Sequence, residues 1–137
     1  MALKKRSTPA SRIVAITREG KRLSNDSQEP WLARGLDLIR AREFFAAHEE
    51  LELAWRAAPR SERDFYQGLV HVAVAWYQAG RGNAVGAGRQ LEKGLRRLER
   101  YEPEHRGLDV ADIRRQLEAA QALVAGGSLE LPPPTVS

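Results

Sequence analysis

Residues 44–55 read FFAAHEELELAW and carry the clearest structural pattern of the chain. Phe44, His48, Leu51 and Trp55 follow one another at intervals of four, three and four residues, which places them on one face of an α-helix. Most of the residues between them are alanine, leucine or glutamate, which are strong helix formers. The stretch therefore predicts an amphipathic helix.

Four further segments on either side have the same helical period, and proline, glycine and asparagine separate them. The predicted helices begin near Pro30, Arg42, Ser61, Asn83 and Leu108. Residues 61–64, SERD, resemble a capping box at the start of the third helix. No stretch alternates in polarity as a strand would. Because the connections are short, the sequence predicts an all-α protein, a single antiparallel bundle of about five helices.

The basic residues are concentrated at the start of the chain. Residues 1–28 hold seven basic and two acidic residues, a net charge of +5, whereas the whole chain carries +4. Since residues 1–28 also contain little apolar sequence, we predict a disordered basic leader there. A helical bundle domain is predicted at residues 29–127 and a proline-rich tail at residues 128–137.

Composition excludes several classes of protein. The chain has no cysteine, which excludes disulfides, thiolate catalysis and cysteine-ligated metal sites. The longest strongly apolar run, residues 69–77, is far short of the roughly 20 residues of a membrane span. No signal-peptide core follows the N-terminus. We therefore predict a cytoplasmic protein without membrane contact, with an unidentified protein partner and weak nucleic-acid binding through the basic leader.

His48 and Glu52 are the first candidates for chemistry. They lie one helical turn apart, with Cβ atoms about 5–6 Å from each other. A carboxylate in that position can orient the imidazole, tune its basicity or share a divalent metal with it. The alternative is a buried hydrogen bond between His48 and Glu52 that only holds the helices together. Spacing alone leaves both interpretations open.

His71, in the third predicted helix, extends this hypothesis. Gln67, His71 and Gln78 form a polar side of that helix, opposite an apolar side of Phe65, Leu69, Val72 and Trp76 that is predicted to enter the core. If His71 turns towards His48 and Glu52, the three side chains form a metal site between two helices. The alternative places His71 at the boundary, facing solvent.

Gly68 lies in the middle of the same predicted helix. Glycine there costs about 1 kcal/mol relative to alanine. A close approach by a bulky neighbour would explain it, and we predict that Trp55 lies flat against the backbone at this point.

The sequence His48-Glu49-x-x-Glu52 is close to the zinc-peptidase motif but lacks its second histidine. That motif needs two imidazoles one turn apart on one helix face, with the intervening glutamate as base. Because Glu52 stands where the second imidazole belongs, the sequence does not predict peptidase activity. Glu49 remains a candidate pocket residue.

Three segments in order, residues 44–55 (FFAAHEELELAW), 63–69 (RDFYQGL) and 81–87 (RGNAVGA), resemble the domain-of-unknown-function family 309. The resemblance covers about residues 36–98. It implies an all-helical fold and carries no established activity. The signature positions that it implies are His48, Glu52, Trp55, Gln67, Gly68, Gly82 and Asn83.

The chain departs from the family pattern in two regions. Family members usually read Phe-Asn-x-Gly-x-Phe before the His-Glu motif, whereas residues 39–44 read IRAREF. We therefore expect a differently built turn between the first two helices. Many members also have histidine at the position of Gln78 and glutamine at the position of His71, which weakens any hypothesis that needs a fixed second imidazole.

Two classes of function follow from these observations. The first is a binding or interaction module with a structural His-Glu-Trp cluster. The second is an enzyme, or a small-ligand or metal-binding protein, that uses a pocket at His48 and Glu52. No nucleophile–base pair and no complete ligand set can be read from the sequence, which favours the first. The sequence shows no evident cofactor. The second class of function implies a divalent metal held by His48, Glu52 and His71. The candidate pocket residues are His48, Glu49, Glu52, Trp55, Gln67, His71 and Asn83.

Overall fold

The computed structural model describes residues 28–137, so residues 1–27 of the leader predicted for residues 1–28 lie outside the described part. Five α-helices form the described part: α1 Glu29–Arg40, α2 Phe44–Ala57, α3 Arg60–Gly80, α4 Ala84–Leu98 and α5 Val110–Ala125. The prediction of an all-α bundle of about five helices is therefore confirmed. None of these helices is long and apolar enough to cross a membrane.

A short hairpin between α4 and α5 is the one described element that the sequence did not predict. After a 3-10 turn at Glu99–Tyr101, strand β1 (Glu104–His105) pairs antiparallel with strand β2 (Leu108–Asp109). Arg106 and Gly107 both have positive φ, at 49° and 80°, as a tight two-residue hairpin turn requires. Two-residue strands are too short to show alternating polarity.

The core lies along α3, which packs between α2 and α4, while α1 covers α2 and α5 covers α4. The predicted apolar side of α3 is confirmed, since its side chains are at most 7% exposed. They are Phe65, Leu69, Val72 and Trp76. Leu51, Leu91 and Leu117 add buried side chains from α2, α4 and α5. Each buried large apolar side chain contributes about 1.5–3 kcal/mol, so burial along α3 holds the helices together.

Gly68 is a point of close helix packing, but the predicted neighbour is wrong. A Cβ atom at position 68 would lie 2.6 Å from both Cγ and Cδ2 of Leu98, which belongs to α4. Trp55 instead lies beside Arg63, whose guanidinium carbon is 5.4 Å from the Trp55 ring centroid. The glycine thus lets α4, and not α2, approach α3.

The predicted capping box at the start of α3 is also wrong. The helix begins at Arg60 with Pro59 as its N-cap, and no side chain caps it. Asp64 instead accepts hydrogen bonds from Arg97 at 2.8 Å and Arg100 at 3.2 Å. The carboxylate therefore ties α3 to α4 and does not cap its own helix.

The turn between α1 and α2 contains a strained residue. Arg42 has a φ of 62°, a left-handed conformation that costs an L-residue about 1–2 kcal/mol and that glycine adopts freely. Arg42 stands where the family pattern carries glycine. Glu43 N donates to Leu38 O at 2.8 Å, which closes the turn and directs Phe44 into the first turn of α2.

Residues 128–137, the predicted proline-rich tail, form neither helix nor strand. They lie against the bundle, and Pro134 and Val136 are buried there. At the other end of the described chain, Gln28 is buried at the start of α1.

Candidate functional site

A shallow cleft opens where the first turn of α2 lies beside the last turns of α3. Its volume is about 180 Å³, and it is lined by Phe44, Phe45, His48, Val74, Tyr77 and Gln78. Pockets for drug-sized ligands and cofactors usually measure roughly 300–1,000 Å³. The cleft therefore suits one side chain or a small polar group.

Aromatic rings form one side of the cleft. The Phe45 ring centroid lies 5.1 Å from that of His48 and 5.3 Å from that of Tyr77, both tilted. Phe45 is 51% exposed although it is a large apolar residue. The three rings thus present an accessible aromatic surface of the kind that binding sites use.

The hydrogen bonding of His48, a residue that lines the cleft, determines which of its ring nitrogens can accept a hydrogen bond. Its Nδ1 lies 2.9 Å from the carbonyl oxygen of Phe45. A carbonyl oxygen can only accept, so Nδ1 carries the proton of the neutral ring. Nε2 is left with a lone pair, which can accept a hydrogen bond, take a proton or bind a metal.

Glu52 places a carboxylate close to that lone pair. Its Oε2 lies 3.8 Å from His48 Nε2, beyond hydrogen-bonding distance. The Glu52 side chain is 40% exposed and that of His48 is 23% exposed. The structure therefore does not contain the buried His–Glu hydrogen bond that was the alternative from spacing. Glu52 lies beside His48 but does not line the cleft, and its Oε1 is 4.0 Å from Arg56 Nη2.

The opposite wall of the cleft is braced by the loop after α3. Gly82, with φ of 78°, turns the chain so that Asn83 Nδ2 donates to Gln78 Oε1 at 3.0 Å. Asn83 Oδ1 accepts from Gly86 N at 2.8 Å, which confirms the predicted cap of α4. Asn83 therefore orients a cleft residue without lining the cleft.

His71 lies away from this site, between α3 and α4. Its Nδ1 is 2.7 Å from Gln90 Oε1, and its Nε2 is buried without a hydrogen-bond partner. A Cβ added at Gly94 would lie 3.5 Å from His71 Cβ, which shows how closely α4 approaches. The structure thus does not bring His71 to His48 and Glu52. Within residues 28–137, no group of three or more His, Cys, Asp or Glu side chains could hold a metal ion.

His71 should make stability depend on pH. Burial lowers the pKa of His71 below its ordinary value of 6.5, against the opposing effect of the hydrogen bond that His71 donates to Gln90. The unfolded chain therefore binds the proton more readily, and the free energy of unfolding should fall as pH drops below about 6.5. Urea denaturation at several pH values between 7.5 and 5 measures this dependence. His71→Gln should flatten it, and an unchanged slope would contradict the buried neutral imidazole.

Glu49, Glu52, Trp55 and Gln67 do not line the cleft either, and Glu49 is exposed. Val74, Tyr77 and Gln78 do line it but were absent from the predicted pocket. Their spacing of i, i+3 and i+4 on one helix face was a usable signal. It was not decisive, because spacing does not show which neighbouring helix that face meets.

A second group of titratable residues lies near the opposite end of α3. Glu62 Oε1 accepts hydrogen bonds from His105 Nε2 and Arg106 Nε, each at 2.8 Å, and Arg106 also pairs with Glu29. Burial would raise the pKa of Glu62, but the hydrogen bonds from Arg106 and His105 hold that pKa below its ordinary value. Burial also raises the pKa of the neighbouring Tyr66 hydroxyl.

This cluster ties three parts of the chain together: α1, α3 and the hairpin. The Glu62 and Arg106 side chains are only 9% and 10% exposed, so a ligand has little access to them. The His105 ring lies 4.7 Å from both the Phe65 and Tyr101 centroids, which fills the space beside the charges. The arrangement is a structural ion-pair network. Its members were not predicted, because Glu62 and Arg106 are 44 residues apart in sequence.

Comparison with known proteins supports the resemblance seen in the three motifs. Residues 32–90 match the model of the family described as Domain of unknown function (DUF309). The uncharacterized protein YpuF of Bacillus subtilis (strain 168) is 34% identical over 85 residues, which are 60% of this chain and 47% of YpuF. The match therefore spans about half the length of that relative. No solved structure matches the chain.

The matched range contains α2, α3 and the loop that braces the cleft. The predicted resemblance is thereby confirmed: residues 32–90 of this chain match the family DUF309, a domain of unknown function.

Proposed function

We propose that the protein is a binding module whose cleft accepts an arginine or lysine side chain from a segment of a partner protein. The observation that carries this proposal is the pair of acceptors, His48 Nε2 and Glu52 Oε2, 3.8 Å apart beside an exposed aromatic ring. Both atoms can only accept when the imidazole is neutral. A ligand with several N–H donors therefore complements them.

The aromatic side of the cleft favours a cationic donor over a neutral one. A guanidinium or ammonium group over a phenylalanine or tyrosine face gains about 0.5–1 kcal/mol at exposed sites. The chain already contains such a contact, because the Arg81 guanidinium carbon lies 5.6 Å from the Tyr77 ring centroid. Phe45, which is 51% exposed, can make a similar contact from its exposed face.

A small amine or a divalent metal is the second candidate ligand, and it would make the protein a small-ligand binder or an enzyme. The lone pair on His48 Nε2 favours it, since neutral imidazole is a common metal ligand and a general base. A metal held only by His48 and Glu52 would need further ligands from solvent or substrate.

The test is a titration of the whole protein with N-acetyl-arginine-amide, followed by NMR of the His48 imidazole and the Phe45 ring. We expect saturable shifts of both signals. Glu52→Gln should weaken the affinity about tenfold by removing the charge. Its unfolding free energy should change by no more than about 0.5 kcal/mol, because the residue is near the surface.

Glu49→Gln is the matched control, because Glu49 is an exposed carboxylate that directly follows His48 and so lies on a different side of α2, whereas Glu52 lies one turn from His48. It should leave the shifts unchanged. Absence of saturable shifts, or equal losses in the Glu49 and Glu52 variants, would refute the proposed site. If zinc or manganese shifted the His48 signals and the arginine derivative did not, the result would favour the second candidate ligand, a small amine or a divalent metal.

A further inference from the structure

The last residues of the chain lie in a groove formed by three helices. Residues 131–137 read LPPPTVS, and side chains of α1, α3 and α5 contact them. Val136 is only 2% exposed and belongs to the hydrophobic core cluster. Asp109 N donates to Ser137 O at 2.8 Å at the end of this segment. A stretch without helix or strand is thus held at both ends and buried in its middle.

Gln116 of α5 binds the main chain of Thr135 on both sides. Its Nε2 donates to Thr135 O at 2.9 Å, and its Oε1 accepts from Thr135 N at 2.8 Å. Asp112 Oδ2 accepts a further hydrogen bond from Gln116 Nε2 at 2.9 Å, which orients the amide. This paired contact satisfies the backbone N–H and C=O of Thr135, as a neighbouring β-strand would do for a residue of an extended chain.

Two further side chains donate to carbonyl groups of the same segment. Trp76 Nε1 donates to Pro132 O at 2.9 Å, and Arg40 Nη2 donates to Val136 O at 2.6 Å. These two hydrogen bonds, and two of those from Gln116, go to main-chain atoms that every peptide has, while one more joins Gln116 Nε2 to Thr135 Oγ1 at 2.9 Å. Selectivity therefore comes from shape: a proline-rich stretch, followed after one residue by a small aliphatic side chain.

We infer that this groove is a recognition site for proline-rich extended segments of a partner protein, and that the chain's own residues 131–137 occupy it as an internal competitor. A tryptophan N–H donating to a proline carbonyl, beside buried proline and valine side chains, is the chemistry of polyproline II recognition. Proline restricts the free segment to extended conformations, so little entropy is lost on binding. The inference is independent of the cleft, because none of these contacts involves a cleft residue.

Occupancy by the tail limits binding from outside. A segment tethered to its own groove has an effective concentration in the millimolar range, so a free peptide competes poorly. Weakening the internal contact should therefore raise the apparent affinity for an added peptide in proportion to the fraction of open grooves.

The experiment uses the full chain with Val136→Asp, which would place a charge in an apolar site and so release the tail. Thr135→Pro is a second release variant, and it removes both the N–H that donates to Gln116 Oε1 and the hydroxyl that accepts from Gln116 Nε2. A fluorescent peptide of residues 128–137 is titrated and its anisotropy is followed. We expect at least tenfold tighter apparent binding to either release variant than to the wild-type chain.

A groove variant, Gln116→Met, and a control variant, Gln121→Met, are each introduced into the release variants. Gln116→Met should abolish the gained affinity, whereas Gln121→Met, a glutamine of the same helix without a tail contact, should retain it. Circular dichroism checks that each variant is folded. Folded release variants that do not bind the peptide, or that bind a peptide with its prolines replaced by glycine equally well, would overturn the inference. If wild-type molecules formed dimers by placing each tail in the groove of the other molecule, the inference would also be overturned, because the groove would then bind a second copy of this chain.

Discussion

Gly68→Leu should lower the free energy of unfolding by about 1–3 kcal/mol or more, measured by urea denaturation. The reason is the contact between α3 and α4: a Cβ atom at this position would lie 2.6 Å from Leu98 Cγ and Cδ2. Even Gly68→Ala must displace the Leu98 side chain, so we expect it to destabilise despite the better helix propensity of alanine.

Gly88 is the matched control for this experiment. It lies inside α4, and a Cβ atom built on it would have no atom within 4 Å. Gly88→Ala should therefore stabilise the protein by about 0.5–1 kcal/mol through helix propensity alone. If the Gly68 and Gly88 substitutions had effects of the same sign, the close approach of α4 at Gly68 would be wrong.

Glu62→Ala should destabilise the protein by about 3–5 kcal/mol, because it removes one partner of a buried ion pair. Arg106 would keep Glu29 but lose the acceptor of its Nε, and His105 would lose the acceptor of its Nε2. Urea denaturation at pH 7 measures the loss. A change below about 0.5 kcal/mol would show that the network contributes no net stability.

The pH dependence of this loss has a definite sign. The pKa of Glu62 is lowered in the folded protein from an ordinary value of 4.5, so the folded state binds the proton less readily than the unfolded chain. The stability from ionised Glu62 is complete above about pH 4.5 and is lost as pH falls through the lower folded pKa. The difference in unfolding free energy between wild type and Glu62→Gln should therefore shrink below pH 4.5. A difference that stays constant down to pH 3 would contradict the shift.

The elements of the fold follow from local sequence. Helical spacing of apolar residues placed Phe65, Leu69, Val72 and Trp76 in the core, and all four are buried. Helix breakers located the starts of the five helices to within two residues. The Asn83 cap was predicted correctly, whereas the predicted cap of α3 was wrong. These signals are local because a helix joins residues only three or four positions apart. The hairpin between α4 and α5 was missed because two-residue strands leave no pattern.

The site depended on information that spacing does not contain. His48 and Glu52 lie one turn apart on a single helix, so their proximity was predictable. That His71 packs against Gln90, away from that pair, depends on which side of α3 meets α4. The same holds for Gly68, whose close neighbour proved to be Leu98 and not Trp55.

Local sequence therefore specified the five helices, their core faces, the His48–Glu52 pair and the resemblance to the DUF309 family. Three-dimensional packing specified which helix faces meet. It thereby produced the aromatic cleft, the Glu62–Arg106 ion pair and the groove that holds the C-terminal residues. The physical reason is the range of the interactions. Hydrogen bonds and capping within a helix act between near neighbours, whereas contacts such as that of Arg40 with Val136, 96 residues apart, form only when distant segments meet around a common core.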